Sequence, residues 1–482
     1  MAQRIGTGSG VTVARPTTPG QRNWTKLVTL GLAASTAVAT WCFLLGGYVA
    51  AYLPAVPGML TMVAGGLIGI LVIFLALVPI STRYGVESIM SIKPVLGQWG
   101  PWIVVGIAGF ILIGWNSVLL IFMGRAAAEV LVTTGLAPDA SRHGIMVVSA
   151  LVGIAFIWWV LRKGPSRMTR IGFWIAAVVV VMAFWILFSL VANIGWEPII
   201  SAPALAPVET DHGNLAVGAE MLIAVSLSWW PYVGGITQNL SSTRKAMNPV
   251  LLGLCLPLSL ISVIGLFAAL VFPESGGDPT SYIIELSGPV IGIPILIFII
   301  CANISTVMIG VYSLSLGVRQ ATGLKKELPW KTVLAVSLVP VVFIVALVPN
   351  LLFDHISTVN AIVGLILAPI CGVQIVDYFI LRRQFVSVRA IYSTAHDSVY
   401  RFWGGLNWWA VLALALGFAT SLSLLNPITY EYRAPFEFLT SSLPAAVVAG
   451  GFHWVFTKLI VQPAGKGGYA GLKELAVDHR SS

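Results

Sequence analysis

Two tryptophans stand where an indole can hold a flat molecule. Trp115 lies in Gly114-Trp115-Asn116-Ser117 and Trp229 in Ser226-Leu227-Ser228-Trp229-Trp230-Pro231-Tyr232, each near the middle of a long apolar run. A heterocycle between two indole faces gains dispersion and quadrupole attraction, and a few placed donors and acceptors then fix its orientation. Asn116, Ser228 and Gln238 carry such groups. The alternative for each tryptophan is an anchor at a membrane–water boundary. A second cluster, Asn303-Ile304-Ser305-Thr306, offers oxygens that suit a hard cation such as sodium. Unwound backbone carbonyls between Ala33 and Ala37 would complete its shell. The alternative is that these hydroxyls bond back to their own helix.

Other ionisable groups in apolar runs are few. Arg125 and Glu129 are four residues apart, so a helix sets them on one face as a structural pair, with a gate or proton relay as the alternative. Glu220 and Asp377 are similar cases, and either would carry a proton if no sodium site existed. The cysteines Cys42, Cys255, Cys301 and Cys371 sit in apolar segments without Cys-x-x-Cys spacing and read as buried thiols. The sequence has no Walker A loop, no His-Glu-x-x-His and no Gly-x-Ser-x-Gly, and its histidines are scattered. An enzyme is not expected, nor any cofactor beyond a coupling ion, sodium or proton.

The elements that must carry these residues follow from composition. Of 482 residues, 57% are hydrophobic and only 9% are charged, against about 25% charged in a soluble domain. Lipid must therefore cover most of the surface. A helical crossing takes about 20 apolar residues, and twelve runs qualify: 27–50, 59–80, 99–134, 145–161, 171–192, 215–238, 249–272, 289–318, 332–348, 356–381, 407–425 and 441–461. With the connecting loops assigned to alternate sides, 24 of the 27 Lys and Arg residues fall on one side, all but Arg125, Arg142 and Arg433. Basic loops stay cytoplasmic on insertion. Both termini are thus expected inside a cytoplasmic (inner) membrane, and the net charge of +9 faces anionic headgroups rather than nucleic acid. No removable signal peptide is expected, because no short apolar core with a cleavage site stands before the first run.

Breakers inside a span are tolerated where a cavity or neighbouring helices satisfy the freed backbone, and matching breaks in two halves point to a binding site. The first run holds Gly31, Ser35, Thr36, Thr40, Gly46 and Gly47; the sixth holds Pro231, Gly234 and Gly235, where an unwound stretch is expected. Runs one and six open two five-helix sets. Five is odd, so the sets enter from opposite sides as inverted repeats. The expected organisation is a tail 1–26, a first repeat 27–195, a second repeat 214–383, a loop with two further helices 384–462, and a tail 463–482.

At these same residues the chain resembles the nucleobase–cation symporter-1 family, in particular its cytosine-permease branch. The resemblance is carried by Gly46-Gly47, Gly114-Trp115-x-x-Val118, Leu227-Ser228-Trp229, Tyr312-Ser313-x-x-Leu316-Gly317, Asn407-Trp408 and, most specifically, Ala368-Pro369-x-x-Gly372-Val-x-Ile-x-Asp377-Tyr378-x-x-x-Arg382-Arg383. It implies an all-α membrane protein with a five-plus-five, leucine-transporter-like inverted repeat and two C-terminal helices. It also implies cotransport of a purine, pyrimidine, hydantoin or allantoin-like ring with sodium or protons. Trp115 and Trp229 would sandwich the ring, and Ser305 and Thr306 would supply sodium ligands beside helix 1 backbone. Three positions depart from the family: Gln238-Asn-Leu-Ser241, Val307-Met308-Ile309-Gly310 and Leu119 stand where more polar motifs are usual.

The resulting expectation is cation-coupled uptake of a small heterocycle by alternating access, by a monomer or loose oligomer. The closest alternative is the same fold carrying a less polar ring such as a vitamin precursor, proton-coupled or uncoupled. More distant are a channel, which needs a continuous polar stripe, and a receptor that binds without translocating.

Overall fold

The computed structural model describes residues 16–469 except 39, 163–167, 323–328 and 394–397. Much of the two predicted tails and the loop residues Lys163, Arg167, Lys325 and Lys326 lie outside the described residues. Each of the twelve predicted runs coincides with a helix or helix pair. These are α1a (Lys26–Ala37) with α1b (Trp41–Tyr52), α2 (Ala55–Tyr84), α3 (Gly100–Thr133), α4 (Arg142–Leu161), α5 (Met168–Asn193) and α6a (Asp211–Leu227) with α6b (Trp230–Thr237). There follow α7 (Thr243–Val271), α8 (Pro279–Thr322), α9 (Trp330–Leu347), α10 (Ile356–Leu381), α11 (Trp408–Leu424) and α12 (Ser442–Val461). Gly288, at φ 69° and ψ 166°, interrupts α8, so its long apolar part begins at Pro289, as the run predicts.

α2 illustrates how sequence sorts lipid from core. Leu60, Val63, Leu67, Leu71 and Leu75 recur at helical spacing and are exposed, a stripe that only lipid can cover. The opposite stripe carries Gly65 and Gly69. A Cβ at Gly65 would lie 2.7 Å from Ala219 O, and one at Gly69 would lie 2.5 Å from Ser226 Cβ. α2 and α6a therefore approach through small residues, as membrane helices do when lipid and core are equally apolar. α1b and α7 repeat the device: a Cβ at Gly46 would sit 2.0 Å from Ser262 O, and one at Gly265 would sit 2.1 Å from Phe43 O.

The main pairings are α1b on α7, α6a on α2, and α3 on α8. Exchanging helices 1 with 6, 2 with 7 and 3 with 8 carries this set into itself, which is what an inverted repeat requires. α12 packs on both α10 and α11 outside that core.

The first and sixth spans are both broken, by bends of 60° and 48°. The α6 break corrects the sequence reading. It lies at Ser228 and Trp229, immediately before Pro231, and Pro231, Gly234 and Gly235 are wound inside α6b rather than forming the expected unwound stretch. Pro231 falls in the first turn of α6b, where its missing N–H costs nothing. Gly234 serves close packing: a Cβ there would lie 2.3 Å from Ser88 N.

The end of the bundle that carries the basic residues is covered by ordered turns. Ser88–Ser91 and Lys93–Leu96 form short buried helices between α2 and α3. Arg22 donates to the carbonyls of Thr82 and Arg83 at 2.9 and 2.8 Å, so the described part of the expected free N-terminal tail is packed across the end of α2.

Candidate functional site

Both broken spans converge on a small pocket. Its walls are Thr36 and Trp41 from the α1 break, Trp115, Asn116 and Leu119 from α3, Ser228, Trp229 and Tyr232 from α6, and Thr306 and Ile309 from α8. The free space is only about 30 Å³. Four of the five residues expected to touch substrate therefore lie together. Gln238 does not join them; it lines an adjoining cavity of about 290 Å³. That larger cavity runs past Leu32, Glu87, Pro231, Gly235 and Tyr312 to Trp24 at the basic end, and shares Thr36, Tyr232 and Ile309 with the small pocket.

Three indoles meet in the small pocket. Trp41 lies 4.7 Å from Trp115 and 5.9 Å from Trp229, centroid to centroid, tilted 38° and 44°. Both separations are within aromatic contact range. The sequence reading paired Trp115 with Trp229 and did not single out Trp41. Its ring touches both at a tilt, and Trp41 is the first residue of α1b after the break. Position just after a helix break was the available signal.

Two donors in this pocket lack protein partners among the described residues, Trp115 Nε1 and Asn116 Nδ2. Both residues are buried, Asn116 at 1% exposure and Trp115 at 7%. Leaving such a donor unpaired costs about 1–3 kcal/mol, which an acceptor brought to either atom would relieve. Asn116 is held by Gly310 of α8, where a Cβ would lie 2.3 Å from its Oδ1. The Ser228 hydroxyl donates to Val225 O at 2.5 Å, which leaves its lone pairs toward the break.

The candidate cation ligands lie on α1a and α8, which are in contact. Thr306 Oγ1 donates to Ala302 O at 3.1 Å, the back-bond that reading the residues set as the alternative. A hydroxyl that donates this way keeps its lone pairs for a cation. Ser305 is buried at 9% exposure. On the α1 side, Ala33–Ala37 are wound as the last turn of α1a rather than unwound as expected, the break falling after Ala37; Ala33 O accepts from Thr36 Oγ1 at 2.8 Å, and Thr40 Oγ1 donates to Asn303 Oδ1 at 2.6 Å, tying the break to α8. Ala33 turns its side chain toward α7, where Gly253 leaves room for it.

The remaining ionisable residues are engaged in structure. Glu220 accepts from the amides and hydroxyls of Ser441 and Ser442 at 2.6–3.1 Å, capping α12. Asp377 accepts from Arg382 Nε at 2.6 Å and from Tyr469 Oη at 2.6 Å. Arg125 reaches Asp278 at 3.2 Å, and Glu129 pairs with Arg142 and accepts from Thr133 Oγ1 at 3.2 Å. The sequence reading did not single out Trp230. It is fully buried, and its Nε1 donates to Gln374 Oε1 at 2.7 Å, whose amide donates in turn to Ser91 Oγ at 3.1 Å. Among the described residues no group of three His, Cys, Asp or Glu side chains is placed to hold a metal ion.

Comparisons with known proteins agree with this architecture. Residues 16–443 match the family described as permease for cytosine/purines, uracil, thiamine, allantoin. The allantoin permease of Bacillus subtilis (strain 168) is 24% identical over 376 residues, covering 71% of this chain and 72% of that protein. The hydantoin permease of Microbacterium maritypicum is 38% identical over 61 residues, 13% of this chain and 12% of that protein. Among solved structures, Mhp1 in an inward-facing conformation superposes with a TM-score of 0.74 at 16% identity, covering 92% of this chain and 93% of that one. Mhp1 in a closed conformation with bromovinylhydantoin bound also gives 0.74 at 16% identity, covering 96% and 98%. At that identity the likeness is one of fold, the five-plus-five inverted repeat with two further helices. The chain belongs to the nucleobase–cation symporter-1 family of permeases for cytosine, purines, uracil, thiamine and allantoin, and is a secondary transporter.

Proposed function

We propose that the protein couples uptake of a flat, carbonyl-bearing heterocycle, of hydantoin or allantoin type, to a sodium ion. The observation that carries this reading is the pair of unpartnered donors, Trp115 Nε1 and Asn116 Nδ2, inside an aromatic pocket at two helix breaks. A ring with exocyclic carbonyls satisfies them, and a ring without such acceptors leaves them buried and unpaired. The names of the allantoin and hydantoin permeases agree with that chemistry, since both molecules carry ring carbonyls. In this reading Trp115 and Trp229 face the ring, Asn116 and Ser228 orient it, and Gln238 lies on the exit path. Sodium sits between Ala33 carbonyl, Ser305 and Thr306. The basic face is cytoplasmic, and the 290 Å³ cavity is the inward vestibule.

The cation acts by differential affinity. It favours the state that accepts substrate from outside, and linkage then requires substrate to tighten sodium binding by the same factor. The test is uptake of radiolabelled allantoin and hydantoin into proteoliposomes under an imposed sodium gradient, a proton gradient, or neither. Sodium-driven accumulation, lost on Thr306→Val, is the expected result. Accumulation driven by protons alone would overturn the sodium assignment. A continuous non-saturable leak would overturn the carrier reading in favour of a channel.

A further inference from the structure

The pocket that should hold a ring already holds one. Trp41 makes contact with both Trp115 and Trp229, and what remains is about 30 Å³. Small-molecule sites usually enclose about 300 Å³ or more. No ring enters that space while the Trp41 indole is there. Trp41 is the first residue of α1b, immediately after the break, and it is 5% exposed. Its neighbour Thr40 is anchored to Asn303 of α8 at 2.6 Å, so the backbone at the break is held while the side chain beyond it has its own torsions. The 290 Å³ cavity adjoining the pocket, across Thr36 and Tyr232, offers space into which an indole can swing.

We infer that Trp41 is a resident plug: its indole takes the substrate's place between Trp115 and Trp229 in the empty transporter, and substrate binds by displacing it. This rests on the proposed role of Trp115 and Trp229 and adds a residue that sets affinity and ring size. Three consequences follow physically. The empty pocket stays dry and packed, so the broken helices do not enclose a void. Each substrate must replace the two aromatic contacts that Trp41 gives up, so weakly stacking solutes are rejected. The affinity measured for any ring is reduced by the fraction of molecules in which Trp41 has left.

The test is binding of a panel to purified full-length protein, with hydantoin, allantoin, bromovinylhydantoin, uracil, cytosine and hypoxanthine as probes. Wild type, Trp41→Ala, Trp41→Phe and Trp115→Ala are compared by calorimetry, and the melting temperature of each variant is recorded. Trp41→Phe keeps an aromatic ring at the break and guards against loss of folding in Trp41→Ala. The expected result is that at least one ring binds about ten-fold more tightly to Trp41→Ala, that Trp41→Phe falls between it and wild type, and that the gain is greatest for bromovinylhydantoin. Free indole should raise the melting temperature of Trp41→Ala and leave wild type unchanged, because it refills the vacated slot. If no compound gains affinity on truncating Trp41, or if truncation weakens binding as a lost stacking wall would, the plug is overturned. Trp115→Ala separates the two ideas. Loss of binding there without a gain in the Trp41 variants removes only the plug, and unchanged binding there removes the site itself.

Discussion

Asn116 packs its Oδ1 against Gly310 and leaves its Nδ2 without a protein acceptor. Asn116→Asp preserves shape but exchanges that donor for an acceptor. The expected consequence is about 10- to 100-fold weaker binding of a carbonyl-bearing ring, read by calorimetry, with Trp115 and the helix breaks undisturbed. A titratable group lines the larger cavity as well. Glu87, in the turn between α2 and α3, lines the larger cavity and accepts from the amides of Ile89 and Met90, both at 2.8 Å. Burial raises its carboxyl from 4.5 to about 7, against the lowering effect of those two donors. The folded protein therefore holds this proton more tightly than the unfolded chain. The cost of ionising Glu87 is absent below the unfolded value, grows through the window from 4.5 to about 7, and is full above it, so this group makes stability fall as pH rises. Glu87→Gln should flatten that part of the melting-temperature profile; an unchanged slope would mean that another group titrates there.

Among the elements, both halves of α6 are fixed by contacts to other helices and turns. Glu220 near its start caps α12, and Trp230 just past its break is bonded to Gln374 of α10. The short α6b is held flush against the α2–α3 turn because Gly234 N donates to Ser88 Oγ at 2.9 Å. The break is thus a rigid corner, its bend supplied by tightened turns in which Ser228 N and Trp229 N bond three residues back at 3.0 and 3.3 Å. Glu220→Ala leaves the first amides of α12 without an acceptor and should cost on the order of 3 kcal/mol of stability. Glu220→Gln keeps part of that cap and should retain the wild-type pH dependence of uptake. A lost pH dependence in Glu220→Gln would instead make the carboxylate a proton carrier.

For the whole molecule, the residues at and beyond the end of α10 bind the basic end of the bundle together. Arg382 is 1% exposed and joins three distant parts of the chain: Asp377 of α10, Pro94 O of the α2–α3 turn at 2.7 Å, and Gly467 O after α12 at 2.8 Å. Tyr400 and Tyr469 flank its guanidinium at 5.1 and 4.2 Å. Arg382→Met strands a buried carboxylate and should cost about 3–5 kcal/mol, seen as loss of folded protein in detergent. Replacing the pair together, as Asp377→Leu with Arg382→Met, should recover part of that loss. If the double variant were no better than the single, the pairing would not be the source of the effect.

The twelve apolar runs, each of which meets a helix or helix pair, and the asymmetry of basic loops were legible from the chain alone, because lipid forces each segment to declare itself by length and charge. Trp115 and Trp229 were legible as well, since a large polar-tipped ring at mid-run has few ordinary reasons to be there. Three features depended on the assembled bundle. The break in α6 lies just before its proline and glycines, because those residues answer to the backbone of Ser88 and to the first-turn geometry of α6b. Gln238 lies outside the indole pocket, because the 48° bend sends α6b along the larger cavity. Trp41 enters the pocket through a 60° bend in α1; its place just after the break was a signal, but the direction its ring would face was set only by the bend. Periodicity specifies what each helix offers on its surfaces, and only the packing of one helix against another decides which of those surfaces meet.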